Sequence, residues 1–127
     1  MTRAETSGIS PFFIVRDTPA SVAFYRGRLG FEVTFQPPPP DDSFAIVVRD
    51  GAQLFLKGSG EPLPNPARYD WARWDAYVHA PDPDALAAEF TAAGALFSSP
   101  LQDTHDGLRG FEVTDPDGYV LFFGRPR

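Results

Sequence analysis

The sequence predicts an α+β fold built from two copies of one strand–helix–strand–strand–strand (βαβββ) unit. Three observations predict it. The same order of apolar runs, helix signals and turns occurs twice along the 127 residues. The second pass trails the first by a nearly constant offset of roughly 65 to 67 residues, as a true repeat should. Fourteen Pro and eleven Gly also break the chain into short segments, which suits many strands better than long helices. A chain of this length is sized for one domain, 1–127, and 43% hydrophobic residues, with twelve Phe among them, supply a core.

Residues 1–8 are polar and read as a tail. Pro11 to Val15 is an unbroken apolar run and reads as a buried strand. Thr18 can then cap a helix with Pro19 in its first turn. Val22, Tyr25 and Leu29 form one stripe of that helix, and Gly30 stops it. Phe31, Val33 and Phe35 alternate with polar residues as a half-buried strand, ended by Pro37 to Pro40. Phe44 to Val48, the Asp50-Gly51 turn, and Gln53 to Leu56 complete the first unit, 9–57.

Residues 58–73 read as a linker, with Tyr69 and Trp71 as unusual aromatics. The second unit, 74–124, repeats the order. Ala76 to Ala80 is a strand, and Asp82-Pro83 opens a helix with Leu86, Phe90 and Ala93 on one face, stopped by Gly94. A strand begins at Leu96-Phe97, and another spans Leu108 to Thr114. Asp115 to Gly118 turns the chain, and Tyr119 to Phe123 closes it. A shift of 67 places Phe44 on Phe111, Ile46 on Val113, Asp50 on Asp117, Gly51 on Gly118 and Leu54 on Leu121. GFEVT occurs at 30–34 and 110–114, but on the second strand of one unit and the third of the other, so the identity is coincidental.

Charge and composition narrow the function. A net charge of −6 disfavours nucleic acid, whose binders carry a basic face, and is compatible with a cationic small molecule. The absence of cysteine excludes disulfides, thiolate metal sites and a Cys nucleophile. MTRAETSGIS lacks the apolar run of a signal peptide, and no apolar stretch approaches the ~18 residues of a membrane span. A cytoplasmic protein without membrane contact is therefore expected. There is no GxSxG elbow and no phosphate-cradling glycine loop. Glu32 and Glu112 alternate with apolar neighbours, so the expectation places them in solvent.

Three segments together resemble the vicinal oxygen chelate superfamily, which includes glyoxalase I, extradiol dioxygenases and the bleomycin resistance proteins. They are Arg16-Asp17 followed by Ala23 to Val33 (AFYRGRLGFEV), the helix from Leu86 to Gly94, and Asp115 to Gly124 (DPDGYVLFFG). The resemblance runs from about Ile9 to Gly124 and implies mixed sheets cupped around a cavity, often within a homodimer. In the family's metal enzymes, His, Gln or Glu ligands come from the first and last strands of each unit. Carried onto this sequence, those four positions hold Ser10, Phe55, Asp75 and Phe122. Two phenylalanines cannot coordinate a cation and a neutral serine is a poor ligand, so neither a metal nor another cofactor is expected. No catalytic residue is nominated.

What remains is an aromatic pocket suited to a small aromatic or cationic organic ligand. The expected ligand-binding residues are Phe12, Phe55, Trp71, Trp74, Asp75, Tyr77, His79 and Phe122; Val120 shares that face. The resemblance is greatest to the metal-free bleomycin resistance proteins, with which the chain shares a first-strand proline, here Pro11. In that group the proline marks an N-terminal strand exchanged between subunits. The resulting expectation is a non-catalytic, homodimeric binding protein that sequesters a bleomycin-like antibiotic. The alternative is a divalent-metal-dependent lyase or dioxygenase with displaced ligands at Asp75, His79 or His105. A third class, a partner-binding module, predicts an exposed aromatic patch.

Overall fold

The computed structural model describes residues 2–127. Two four-stranded mixed sheets form its framework. The first contains β1 (Phe12–Ile14), β2 (Glu32–Phe35), β3 (Phe44–Arg49) and β4 (Ala52–Lys57), with α1 (Thr18–Leu29) following β1. A short helix, α2 (Asn65–Arg68), interrupts the segment read as a linker. The second sheet contains β5 (Ala76–His79), β6 (Phe97–Asp103), β7 (Leu108–Thr114) and β8 (Val120–Pro126), with α3 (Pro83–Ala92) following β5. Strand order is β1-β4-β3-β2 in one and β5-β8-β7-β6 in the other. In each, the first strand runs parallel to the last and the other pairs are antiparallel. The predicted pair of βαβββ units is the fold.

Both long helices begin at an aspartate. Asp17 accepts from the Ala20 N–H at 3.1 Å and Asp82 from the Ala85 N–H at 3.0 Å, satisfying donors that a helix start leaves unpaired. Asp17, not Thr18, is therefore the first cap; the Thr18 side chain is buried, and its hydroxyl finds no partner among the described residues. Gly30 ends α1 with φ 68°, as predicted from its position. Tyr25, Leu29 and Phe90 lie fully buried between helices and sheets, with Ala45, Val47, Leu54, Leu56, Phe111, Val113, Leu121 and Phe123 facing them.

The pairing corrects one part of the expected register. Ile46 pairs with Phe55 in the first sheet, and Glu112 pairs with Phe122 in the second. The equivalent of Ile46 is thus Glu112, and that of Phe44 is Gly110: the third strands align at an offset of 66, one less than the 67 expected. The cause is one extra residue in the second hairpin turn. Four residues separate the paired Val48 and Gln53, and five separate Thr114 and Val120. A one-residue slip moves every side chain to the other face of the sheet.

The two units meet through the turn of the second. The Tyr25 hydroxyl donates to the Asp115 carboxylate at 2.8 Å, and Ser21 donates to Asp117 at 3.2 Å. Phe13 stacks flat on Tyr119 at 4.2 Å, and the Tyr119 hydroxyl donates to the Ile14 carbonyl at 2.7 Å. The reciprocal junction is looser. There Val78 and Ala52 occupy the positions equivalent to Phe13 and Tyr119, and a groove of about 370 Å³ remains beside them. Arg49 closes one side by donating to Glu89 at 2.9 Å and to the Leu29 carbonyl at 2.9 Å.

Candidate functional site

On the sheet faces turned away from the helices, strand register sets out two equivalent rows. In the first sheet the row reads Phe12, Phe55, Ile46, Phe35. In the second it reads Tyr77, Phe122, Glu112, Ser99. The first row is wholly apolar and extends to Phe44, whose ring lies 5.9 Å from Phe55 and 6.0 Å from Phe35. Phe12 meets Phe55 edge-on at 6.1 Å and is 56% exposed.

The second row is a stacking platform. Tyr77 lies near-parallel to Phe122 at 5.4 Å, Trp74 approaches Phe122 at 4.9 Å, and His79 contacts Tyr77 at 4.9 Å. Two glycines paired across β7 and β8, Gly110 and Gly124, let the Phe122 ring lie down on the sheet. A Cβ on Gly124 would sit 2.4 Å from the Phe122 ring, and one on Gly110 would sit 2.6 Å from it. Arg73 covers the platform, its guanidinium 4.3 Å from the Trp74 ring centre and 5.9 Å from that of Phe122. It is paired with Asp106 in the β6–β7 turn.

The expected site residues therefore divide. Trp74, Tyr77, His79 and Phe122 come together on the second sheet, with Tyr77 and His79 also bordering the 370 Å³ groove. Phe12 and Phe55 belong to the first sheet's face and touch none of these rings. Trp71 stacks on Tyr69 at 5.0 Å and lines a separate hollow with Asn65, Arg73 and Trp74. Asp75 departs from the expectation of a ligand-facing carboxylate. Its two oxygens accept from the Asn65 N–H at 2.6 Å and the Val120 N–H at 2.8 Å, so it ties the linker to β8. Phe122 is only 2% exposed, because its own neighbours cover it.

Glu112 is the residue that the sequence reading misplaced. It stands beside Phe122 on the platform face, half-buried, and burial raises its carboxyl above the usual range while the Arg73 charge partly offsets this. The available signal was the alternation with Phe111 and Val113: if those two face α3, Glu112 must face the platform.

A divalent cation is the group the fold suggests, and the side chains do not fit it. Ser10 accepts a hydrogen bond from the Gln53 amide at 2.9 Å, Asp75 is occupied by backbone donors, and Phe55 and Phe122 offer no lone pair. Among the described residues no three His, Cys, Asp or Glu side chains converge. His79 and His105 are exposed on different elements, His105 in the turn between β6 and β7. Nor is any helix among the described residues long and apolar enough to cross a membrane.

The fold is shared with known proteins. TioX from Micromonospora sp. ML1 superposes with a TM-score of 0.75 at 25% identity, over 96% of this chain and all of its own. The bleomycin-binding protein of bleomycin-producing Streptomyces verticillus, solved with copper(II)-bleomycin, superposes at 0.72 with 27% identity, over 98% of this chain and 100% of that one. TnmS3, an antibiotic binding protein from Streptomyces sp. CB03234, shares the fold at 0.71 with 20% identity, over 98% of this chain and 100% of its own. No curated protein matches the chain in sequence. The family model for the Glyoxalase/Bleomycin resistance protein/Dioxygenase superfamily matches residues 9–123, and the chain belongs to that superfamily.

Proposed function

We propose that the protein binds a small aromatic or cationic organic molecule without changing any of its bonds, and that it protects by sequestering an antibiotic. The observation that carries this reading is the exchange of donors for rings: positions that could hold a Lewis acid present Phe55 and Phe122. Stacking replaces coordination, and aromatic surfaces of this kind hold flat organic groups with little loss of side-chain entropy. Support comes from the relative at 27% identity that was solved with bound copper(II)-bleomycin. The ligand-facing residues proposed are Trp74, Tyr77, His79 and Phe122, with Phe12 and Phe55 of a second copy completing the cleft in a cytoplasmic homodimer. Trp71 extends the aromatic surface at its edge.

Isothermal titration with bleomycin and a panel of flat aromatic drugs tests the proposal. Saturable binding of at least one drug is expected, weakened about tenfold or more by Trp74→Ala, the loss of one aromatic contact of roughly 1.4 kcal/mol. Elemental analysis of protein purified without chelator is expected to give a substoichiometric metal content. A stoichiometric divalent ion lost on substituting His79 or His105 would overturn the metal-free reading in favour of a lyase or dioxygenase.

A further inference from the structure

Residues 66–74 carry few ties to the rest of the chain, and Arg73 and Trp74 at their end lie against the second sheet. Asp75 and the Tyr119 hydroxyl anchor the chain just outside this stretch, through Asn65 and Leu63. Within it, hydrogen bonds run back to Pro64 and Asn65 or to Tyr69. Among the described residues, the Arg73–Asp106 pair is its one hydrogen-bonded tie to the second sheet. That pair also decides what covers the platform. The Arg73 guanidinium, a flat delocalised cation, sits over Trp74 and Phe122. Beside it, Asn65, Tyr69, Trp71 and Ala72 bound a hollow of about 370 Å³.

Two carboxylates face this cation. Asp106 holds it directly, and Glu112, with no hydrogen-bonding side-chain partner among the described residues, lies next to Phe122 within reach of its charge. The equivalent place in the first sheet is Ile46, so the negative charge is particular to the second. A platform whose aromatic faces, flanking carboxylates and resident guanidinium all match one chemistry has its ligand's outline already drawn.

The geometry points to residues 70–73 as a displaceable cover and to Arg73 as an internal stand-in for the ligand. A flat, delocalised organic cation takes the guanidinium's place over Trp74 and Phe122 and is countered by Glu112 and Asp106. This rests on the binding reading above and adds the ligand's charge, its countercharge and the group it must expel. Because the closed cover competes with the ligand, apparent affinity is reduced by the fraction of chains in which Arg73 is seated.

Three flat dyes separate the possibilities: thioflavin T as cation, 8-anilinonaphthalene-1-sulfonate as anion and N-phenyl-1-naphthylamine as neutral probe. Each is titrated by fluorescence against the intact chain and its Arg73→Met, Glu112→Gln and Trp74→Ala variants. Met keeps the aliphatic stem over the ring while removing the guanidinium. Thioflavin T is expected to bind about tenfold more tightly than the sulfonate, to gain a further severalfold with Arg73→Met, and to lose about tenfold with Glu112→Gln. Circular dichroism confirms that each variant is folded. Preference for the anion, or thioflavin T affinity unmoved by both charge variants, overturns the inference. If the neutral dye binds as tightly as thioflavin T, equally to the intact chain, Arg73→Met and Glu112→Gln, and is lost with Trp74→Ala, the aromatic site stands and the cation inference falls. If no dye binds, both fall.

Discussion

Asp115 is a buried carboxylate, 5% exposed, at the junction of the two units, and it receives the Tyr25 hydroxyl and the N–H groups of Asp117 and Tyr119. Burial raises its pKa to about 6, outweighing those hydrogen bonds, which act in the opposite direction. Since the folded value lies above the unfolded one, the neutral acid is the form that folding favours. Its contribution is complete below about pH 4 and is lost as pH rises through about 6, an effect on the order of 3 kcal/mol. Urea unfolding of the wild type and Asp115→Asn at pH 4 and pH 7.5 checks this. The stability difference is expected to move toward the Asn variant at the higher pH, and a difference that stays constant would mean an ordinary Asp. None of this was legible in the DPDG motif, which shows a turn but not that Tyr25, 90 residues earlier, buries it. Glu112 was hidden for a different reason. Its apolar neighbours Phe111 and Val113 suggested a solvent-facing residue, whereas the face opposite the helix is itself lined with rings.

At the scale of elements, most of what the chain does was readable because its punctuation is chemical. Gly30 supplies a left-handed residue after Leu29, and the Asp-x-Pro and Asp-Pro starts place a carboxylate at each helix entrance. The order of elements along the chain followed from the repeat, but facing did not follow through the second hairpin. One added residue in the turn after Thr114 changes the offset from 66 before it to 67 after it, and no single shift can align both sides. The same misalignment concealed the glycine pair. Gly110 is equivalent to Phe44, and the loss of that side chain makes room for Phe122 to lie down. A methyl group on Gly110 would fall 2.3 Å from the Phe123 carbonyl oxygen as well as against the Phe122 ring. Gly110→Ala is therefore expected to destabilise by about 1–3 kcal/mol, as overpacking of a filled site does, and to disturb the platform. Chemical denaturation measures the first effect. Near-ultraviolet circular dichroism, which reports the Trp74–Phe122–Tyr77 stack, measures the second. An unchanged midpoint and an unchanged aromatic spectrum would show that the close fit around Phe122 is not what these glycines serve.

For the whole molecule, the contrast between the two outward faces bears on assembly. The second sheet's rings are covered by Arg73 and Trp74, which leaves Phe122 almost inaccessible, whereas the first sheet leaves Phe12 at 56% and Phe35 at 49% exposed, with Phe44 and Phe55 half-buried between them. Four phenylalanines in contact on one face make a contiguous apolar patch, and such patches mark association or binding surfaces more often than they stand idle. β1 borders this patch and pairs with β4 on one side, and its other edge is unpaired among the described residues. These features support the proposed homodimer, in which a second copy faces the patch and the acidic platform of one chain stands opposite the apolar row of the other. Sedimentation equilibrium is then expected to give twice the chain mass of 14.0 kDa. Phe35→Asp, at the rim of the patch and outside the proposed ligand contacts, is expected to shift the population to monomer without unfolding it, since the side chain is half exposed already. Binding should weaken together with dimerisation if the cleft is shared. A monomeric wild type would remove the second copy from the site and leave the platform of a single chain as the whole of it.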